Sequence, residues 1–304
     1  MAVDVLAKTL EALRLRGTVY FEADFRAPWG LAIPSGDVAA FHVVAAGSCW
    51  LRAGGDATLL SQGDIVLLPH GGAHELVHEA DADARPAEEL LSEPNDEGSL
   101  PSYGGDGTAT TLVCGHFEYD RHALHPFFRT LPELVHVSAG QEEQATWLAT
   151  ASRLAAAESA SRQRGASAVV DRLAEVLLMQ TLRLFFENSP EPRGFLAAVK
   201  DPSIGRALSS IHRDPTRDWS VPELARVAAL SRSAFSERFR ELVDESPMRY
   251  LSNWRMLKAR ELLQNDSISV AEVASQVGYR SEFSFAKAFK RYHGQGPGAV
   301  RRAS

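Results

Sequence analysis

The stretch that begins at Ser220 returns at Ser269, and this internal repeat constrains the fold of the 304-residue chain more than any other feature. Ser220, Val221, Glu223 and Ala225 recur 49 residues later as Ser269, Val270, Glu272 and Ala274. Phe235, Phe239 and Pro247 recur 50 residues later as Phe285, Phe289 and Pro297, so the second copy holds one extra residue in its central turn. A period of this length marks one supersecondary unit used twice. In each copy a serine stands where a helix N-cap is wanted, with glutamate three residues on, the signature of a capping box. Leu224, Ala225 and Ala228, like Val273, Ala274 and Val277, form the apolar face of a first short helix. A tight turn follows, with Gly278 in the second copy and Ala229 in the first, a departure that predicts a slightly different turn. The second helices turn Phe235 and Phe239, or Phe285 and Phe289, inward at i, i+4. Residues 247–266 read as one helix joining the copies, with Tyr250, Leu251, Trp254, Leu257 and Leu262 in helical register, and Pro202–Ile211 reads as a packing helix before them.

Charge divides the chain at the same place. Residues 195–304 carry 18 Lys and Arg against 12 Asp and Glu, whereas residues 1–194 carry 14 against 27. A basic C-terminal part attached to an acidic body fits a polyanion-binding unit whose partner region stays away from the polyanion. No stretch approaches the ~20 apolar residues of a membrane-spanning helix. The charged, helix-periodic N-terminus is unlike a secretory signal, and two cysteines, Cys49 and Cys114, do not make a disulfide framework, so the expected compartment is the cytoplasm.

Paired helix-turn-helix units with matched caps and aromatic spacing on a basic segment are a DNA-reading arrangement. Ala-x-x-Ala-x-Leu-Ser with Phe-x-x-x-Phe, then Gly-Tyr-x-x-x-x-x-Phe-x-x-x-Phe-Lys and Gly-x-x-Pro, resembles the DNA-binding domain of the AraC/XylS family of transcription regulators over residues ~200–300. The resemblance implies two recognition helices in successive major grooves, ~34 Å apart, and a site of about two turns of duplex. By position it places Ser233, Ser236 and Glu237 of the first module, and Glu282, Phe283, Ser284 and Lys287 of the second, against base edges. Arg232, Arg238, Arg240, Arg280, Lys290 and Arg291 are phosphate contacts or salt-bridged surface.

Residues ~18–137 are short β-rich runs broken by Gly, Asp and Pro, as in a small sandwich or barrel. Within them, Gly63, Pro69, Gly71 and His74 match the second motif of the cupin superfamily, so this part resembles the cupin-like sensors fused to AraC-type modules. That family's first motif is degenerate here. His42, His74, Cys114 and His116 are nevertheless candidate ligands for zinc or another transition metal, the last two sharing a strand face at i, i+2. The alternative for the same residues is a polar lining for an organic effector, and Cys49 and Cys114 permit a redox sensor. Residues 79–108, acidic and poor in large apolar side chains, predict a disordered loop between strands. Residues 141–161 and 167–188 read as two connector helices, and the second, with Val169, Leu173, Val176, Leu177, Gln180 and Leu184, has apolar surface enough to pack on the sensor or on a second copy.

The expected architecture is therefore α+β and multidomain. A cupin-like sensing domain spans 1–140, a helical connector and dimerisation element 141–194, and an all-α domain with two helix-turn-helix modules 195–304. The expected function is a homodimeric, non-enzymatic transcription regulator, with activation or repression left open, that has a DNA operator, a small-molecule effector and RNA polymerase as partners. A metal-dependent cupin enzyme fused to a DNA-binding domain is the competing class.

Overall fold

The computed structural model describes residues 4–13, 16–91, 101–118, 125–138, 150–151, 154–155, 157–158, 161, 163–189, 192–263 and 268–303. Its contacts divide the chain into two compact units. One comprises residues 15–119 and 131–189; the other is assembled from three separate stretches, 1–14, 120–130 and 190–304.

The first of these units is a sandwich of two sheets. Strands β1 (Arg16–Arg26), β2 (Gly30–Ile33), β3 (Ala39–Ala46), β4 (Ser48–Ala53), β5 (Asp56–Ser61), β6 (Ile65–Leu68), β7 (His74–Val77), β8 (Arg85–Pro86), β9 (Ser102–Gly104), β10 (Ala109–Glu118) and β11 (Val135–Val137) build it. One sheet runs β11-β6-β3-β10-β1-β9 and the other β5-β4-β7-β2-β8. Leu31, Leu51 and Leu76 face Val44, Val66, Leu112 and Cys114 in one buried cluster, as the two-residue period of a half-buried strand requires. Gly71 turns the chain into β7 at φ 67°, where a Cβ would lie 2.3 Å from the Gly36 carbonyl oxygen, so only glycine fits that motif position.

The acidic insert departs from expectation. Residues 79–91 and 101–108 are ordered, with residues 92–100 outside the described set. β8 pairs parallel with β2 and β9 with β1, helix α2 (Ala87–Leu91) buries Leu90, and Tyr103 stacks on Phe25 at 5.6 Å. One buried anchor, one half-buried ring and backbone pairing with both sheets outweigh a composition that by itself favours disorder. Of the first connector helix, the described residues between 150 and 158 are helical and the rest lies outside the described residues. The second is helix α4 (Ala166–Asn188), numbered here after α1 (Val5–Leu13), α2 and the single turn α3 (Pro126–Arg129). Helix α4 packs on β1 and β11 through Val170, Ala174, Leu177, Leu178 and Leu182.

The second unit is helical throughout. Helices α5 (Gly194–Lys200), α6 (Ile204–Arg213), α7 (Val221–Ala228), α8 (Arg232–Val243), α9 (Pro247–Leu263), α10 (Val270–Gln276), α11 (Glu282–His293) and α12 (Pro297–Ala303) follow in order. Helix α9 is the long helix between the copies, burying Tyr250, Leu251, Trp254, Met256, Leu257, Ala259 and Leu263. Helix α1 packs on α6 and α9, and α3 packs on α5.

Candidate nucleic-acid interface and effector site

The two copies superimpose in chemistry, bond for bond. Ser220 and Ser269 each close a capping box with Glu223 and Glu272. The Ser220 hydroxyl and then Arg217 hold the Glu223 carboxyl at about 2, well below its ordinary range. After α7, the Leu230 N–H donates to Ala225 O and the Ala229 N–H to Arg226 O; after α10, the Tyr279 N–H donates to Ala274 O and the Gly278 N–H to Ser275 O. Both turns thus have one hydrogen-bond pattern, correcting the expectation that they differ. Ala229 adopts the left-handed conformation (φ 56°) that Gly278 takes at φ 81°, at a cost of about 1 kcal/mol to an alanine. The additional residue of the second copy is Arg280, placed between that turn and the N-cap Ser281 of α11.

Helices α8 and α11 bury Phe235 and Phe239, and Phe285 and Phe289, and show their other face to solvent. On α8, Arg232, Ser233, Glu237 and Arg240 are exposed, while Ser236 is half-buried and donates its hydroxyl to the Arg232 carbonyl. Arg238 is tied down: its guanidinium donates to Asp201 at 2.6 and 2.8 Å. Burial pushes the Asp201 carboxyl up, but the Ile204 N–H, Arg238 and the Ser203 N–H outweigh it and leave the group below its usual range. Arg238 is accordingly a brace from α8 to the end of α5. On α11, Glu282, Ser284, Lys287, Lys290 and Arg291 are exposed, and Phe283 is 80% exposed at the helix start. A bare phenylalanine in the first turn of a capped helix has no packing role in the unit. Arg280 pairs with Asp218 at 3.0 Å, both almost fully exposed, a bond that water and salt weaken.

In the sandwich, three of the four candidate ligands meet. His42 on β3 and Cys114 on β10 are register partners, and the His74 ring reaches His42 from the opposite sheet. They form a line rather than a cage. Cys114 Sγ lies 2.9 Å from His42 Nδ1, His42 Nε2 lies 2.8 Å from His74 Nε2, and His74 Nδ1 lies 2.8 Å from Gly72 O. The carbonyl can only accept, which assigns every proton: His74 Nδ1–H donates to it, His42 Nε2–H donates to His74, and the Cys114 thiol donates to His42 Nδ1. Burial, and then the neighbouring His74, hold His42 well below the ordinary imidazole range; burial likewise lowers His74 and raises Cys114. Every member is thus neutral.

The expectation of a metal centre does not fit this geometry. A metal ligand turns a bare nitrogen or a thiolate toward the ion, and here both ring nitrogens of His42 are committed on opposite sides. His116 stands beside Glu118 at 3.7 Å, and among the described residues no three such groups can hold one ion. Cys49 and Cys114 are both buried free thiols, Cys49 pushed up to about 12 by burial and then Asp64, so neither has the character of a reactive thiolate.

Next to His74 lies a cavity of about 860 Å³, walled by Ala32, Ile33, Ala53 and Ala73, with Arg52 and Glu75, neighbours on β4 and β7, ion-paired in its lining at 2.7 Å. Ala80, Pro86, Ala87 and Glu88 close one side, so the acidic insert supplies a wall of the cavity. Only the insert's place between β7 and β9 could have signalled this, since nothing in its composition does.

Residues 4–187 match the model of the cupin family and residues 224–303 that of a helix-turn-helix domain. An AraC-like transcription regulator of Streptomyces antibioticus is 32% identical over 312 residues, 99% of each chain. The regulator AlkR of Acinetobacter baylyi is 30% identical over 99% of this chain and 100% of its own. Among solved structures, the DNA-binding domain of AdpA in complex with a target DNA is 34% identical and covers 34% of this chain and 92% of that one, with a TM-score of 0.32.

Proposed function

This chain belongs to the AraC-type family of DNA-binding transcription regulators with a cupin ligand-binding domain, and from that premise we propose how its parts divide the work. Residues 195–304 read an operator, α8 with Ser233 and Glu237 in one major groove and α11 with Glu282, Phe283, Ser284 and Lys287 in the next. Phe283 meets a thymine methyl, and Arg232, Arg240, Arg280, Lys290 and Arg291 hold phosphates. The single observation that carries this assignment is the 80% exposure of Phe283 on a capped helix whose solvent face also bears Lys287, Lys290 and Arg291.

A small organic effector occupies the cavity beside His74, and the neutral Cys114–His42–His74 line stiffens its floor. The chain acts by binding rather than by catalysis and works in the cytoplasm; among the described residues no helix is long and apolar enough to cross a membrane. Val169, 46% exposed, and Met179, 38% exposed, lie with half-buried Leu173 and Val176 on the side of α4 turned from the sandwich and form the surface for a second copy. In this reading effector binding shifts the population of DNA-competent dimers, and RNA polymerase is the downstream partner.

The test is selection of bound sequences from random duplexes by the full chain, followed by a salt titration of the best site. A bipartite site with halves one helical turn apart is the expected result, with Phe283→Ala relaxing preference at one position. Salt-sensitive binding to any duplex without a selected motif would refute it.

A further inference from the structure

The helical unit takes in two stretches, 1–14 and 120–130, that the sequence alone places in the sensing domain. The chain between β10 and β11 of the sandwich includes a part that packs within the helical unit, beside α5, α9 and the loop after α8. Its described part, His125–Thr130, is a strap held at both ends. Phe127, fully buried, meets Phe195 of α5 edge-on at 6.4 Å. Arg129 donates to Glu245 at 3.2 Å, and that carboxylate, 3% exposed, also accepts from Asn253 of α9.

The other end is a hydrogen-bond line whose protons can again be assigned. The Phe127 backbone N–H donates to His125 Nδ1, so the neutral ring carries its proton on Nε2. That N–H donates to the Tyr250 hydroxyl at 3.1 Å, and the hydroxyl donates to His212 Nε2 at 2.7 Å. Tyr250 is therefore a hub. Its ring also meets Phe195 of α5 at 6.1 Å and, edge-on, Phe239 of the recognition helix α8 at 5.8 Å. His212 lies flat on Trp254 at 3.7 Å with 3° between the rings. One hydroxyl thus couples the strap, the supporting helix α6 and the core face of α8.

We propose that the strap His125–Thr130 is a positioning element for the recognition helix of the first module, with His125 and Arg129 acting through Tyr250 and Glu245. This goes beyond the assignment of α8 to DNA and rests on it. The strap is linked to α8 through the hub and through Glu245 in the loop that follows the helix, so its effect falls on the first half-site and leaves the second to α11. Because the strap lies in the connection between β10 and β11, it is bonded on both sides to strands of the effector-binding domain while it packs on the support of a DNA-reading helix. A shift of the strand connection that withdraws His125 or Arg129 would loosen α8, which gives ligand binding a physical handle on one half of the operator.

The experiment measures operator affinity of the full chain on the selected site and on sites transverted in either half. Tyr250→Phe, Arg129→Ala and Arg129→Lys are compared with the unaltered protein, and urea midpoints give the folded fraction of each. The expected result is an approximately tenfold loss of discrimination in the first half for Arg129→Ala and Tyr250→Phe, the second half unchanged, with partial recovery in Arg129→Lys. Two results would overturn the proposal: first-half discrimination unaltered at full folding, or both halves weakening together in step with the unfolded fraction. If the unaltered protein selects no bipartite site, it is the DNA-reading assignment itself that fails, and the two failures are told apart by that control.

Discussion

The two helix-turn-helix modules share caps, turn and aromatic spacing, yet they are supported differently. The second closes its core locally, from Met256, Ala259 and Leu263 of α9 to Val273, Phe285, Phe289 and Val300. The first leans on residues from far along the chain: α1, the strap and α5 all contribute to its unit, and Arg238 is spent on Asp201. Both reading faces carry a glutamate among basic residues, Glu237 on α8 and Glu282 on α11, but only α11 adds a bare Phe283. The same motif therefore yields a self-sufficient reader and a dependent one, and dependence is what makes a reader controllable.

The sharpest way to break the symmetry is at the paired turns. Gly278→Val imposes φ 81° on a β-branched residue and sets its Cβ 2.7 Å from the Thr216 carbonyl oxygen. A loss of about 3 kcal/mol or more is expected, read as a lower urea midpoint and a silent second half-site. The mirrored change should help, since Ala229→Gly relieves a left-handed alanine, and a gain of about 1 kcal/mol in the same assay is expected.

Acid should act on the first module's support. Burial, then His212 and Arg129, hold His125 well below the ordinary imidazole range; burial and then Lys258 bring His212 to about 3. Tyr250, itself pushed up by burial and then Glu245, stays protonated between them. A histidine lowered in the fold binds its proton more readily when unfolded. The stability it lends is whole above about pH 6.5 and is lost as pH falls below that, for His212 down to about 3, at about 1.4 kcal/mol per pH unit for an imidazole. His42 and His74 add the same sign in the sandwich. Denaturation titrations between pH 7 and 4 should show this slope flattened in His212→Phe, and an unchanged slope would count against the assigned neutral network.

Smaller effects follow at the caps and the surface. Ser220→Ala and Ser269→Ala should each cost about 1 kcal/mol of unfolding free energy, equal within error because the two boxes are equivalent. Arg280→Ala should change stability by less than about 0.5 kcal/mol, as its partner Asp218 is as exposed as itself. It should still reduce the slope of log affinity against log salt by about 1, if titrated on the selected operator, because it removes one phosphate contact.

Much of this was legible in the sequence. Periodicity and capping residues describe α7 to α11, since those elements are specified by neighbours three and four positions away. The cupin motif described the β-turn around Gly71 for a similar reason. What escaped was everything fixed at long range. Strands β8 and β9 have two and three residues and exist only because β2 and β1 present free edges to them. The identity of Ala229 suggested another turn, whereas the hydrogen bonds of the loop overrode its preference. The hub at Tyr250 needs His125 and His212, which lie 125 and 38 residues from it, and no local pattern links them. His42, Cys114 and His74 were read as a group, but whether they surround a point or form a line depends on ring orientations that sequence does not carry.

Assembly of the helical unit from three stretches also sets a timetable during synthesis. Helix α1 leaves the ribosome about 190 residues ahead of α6, a wait of about 10 to 40 s at ordinary elongation rates. Val5, Leu6 and Leu10, buried in the finished protein, have no seat until then. In that interval the nascent chain carries an unsatisfied amphipathic segment, a natural client for a chaperone.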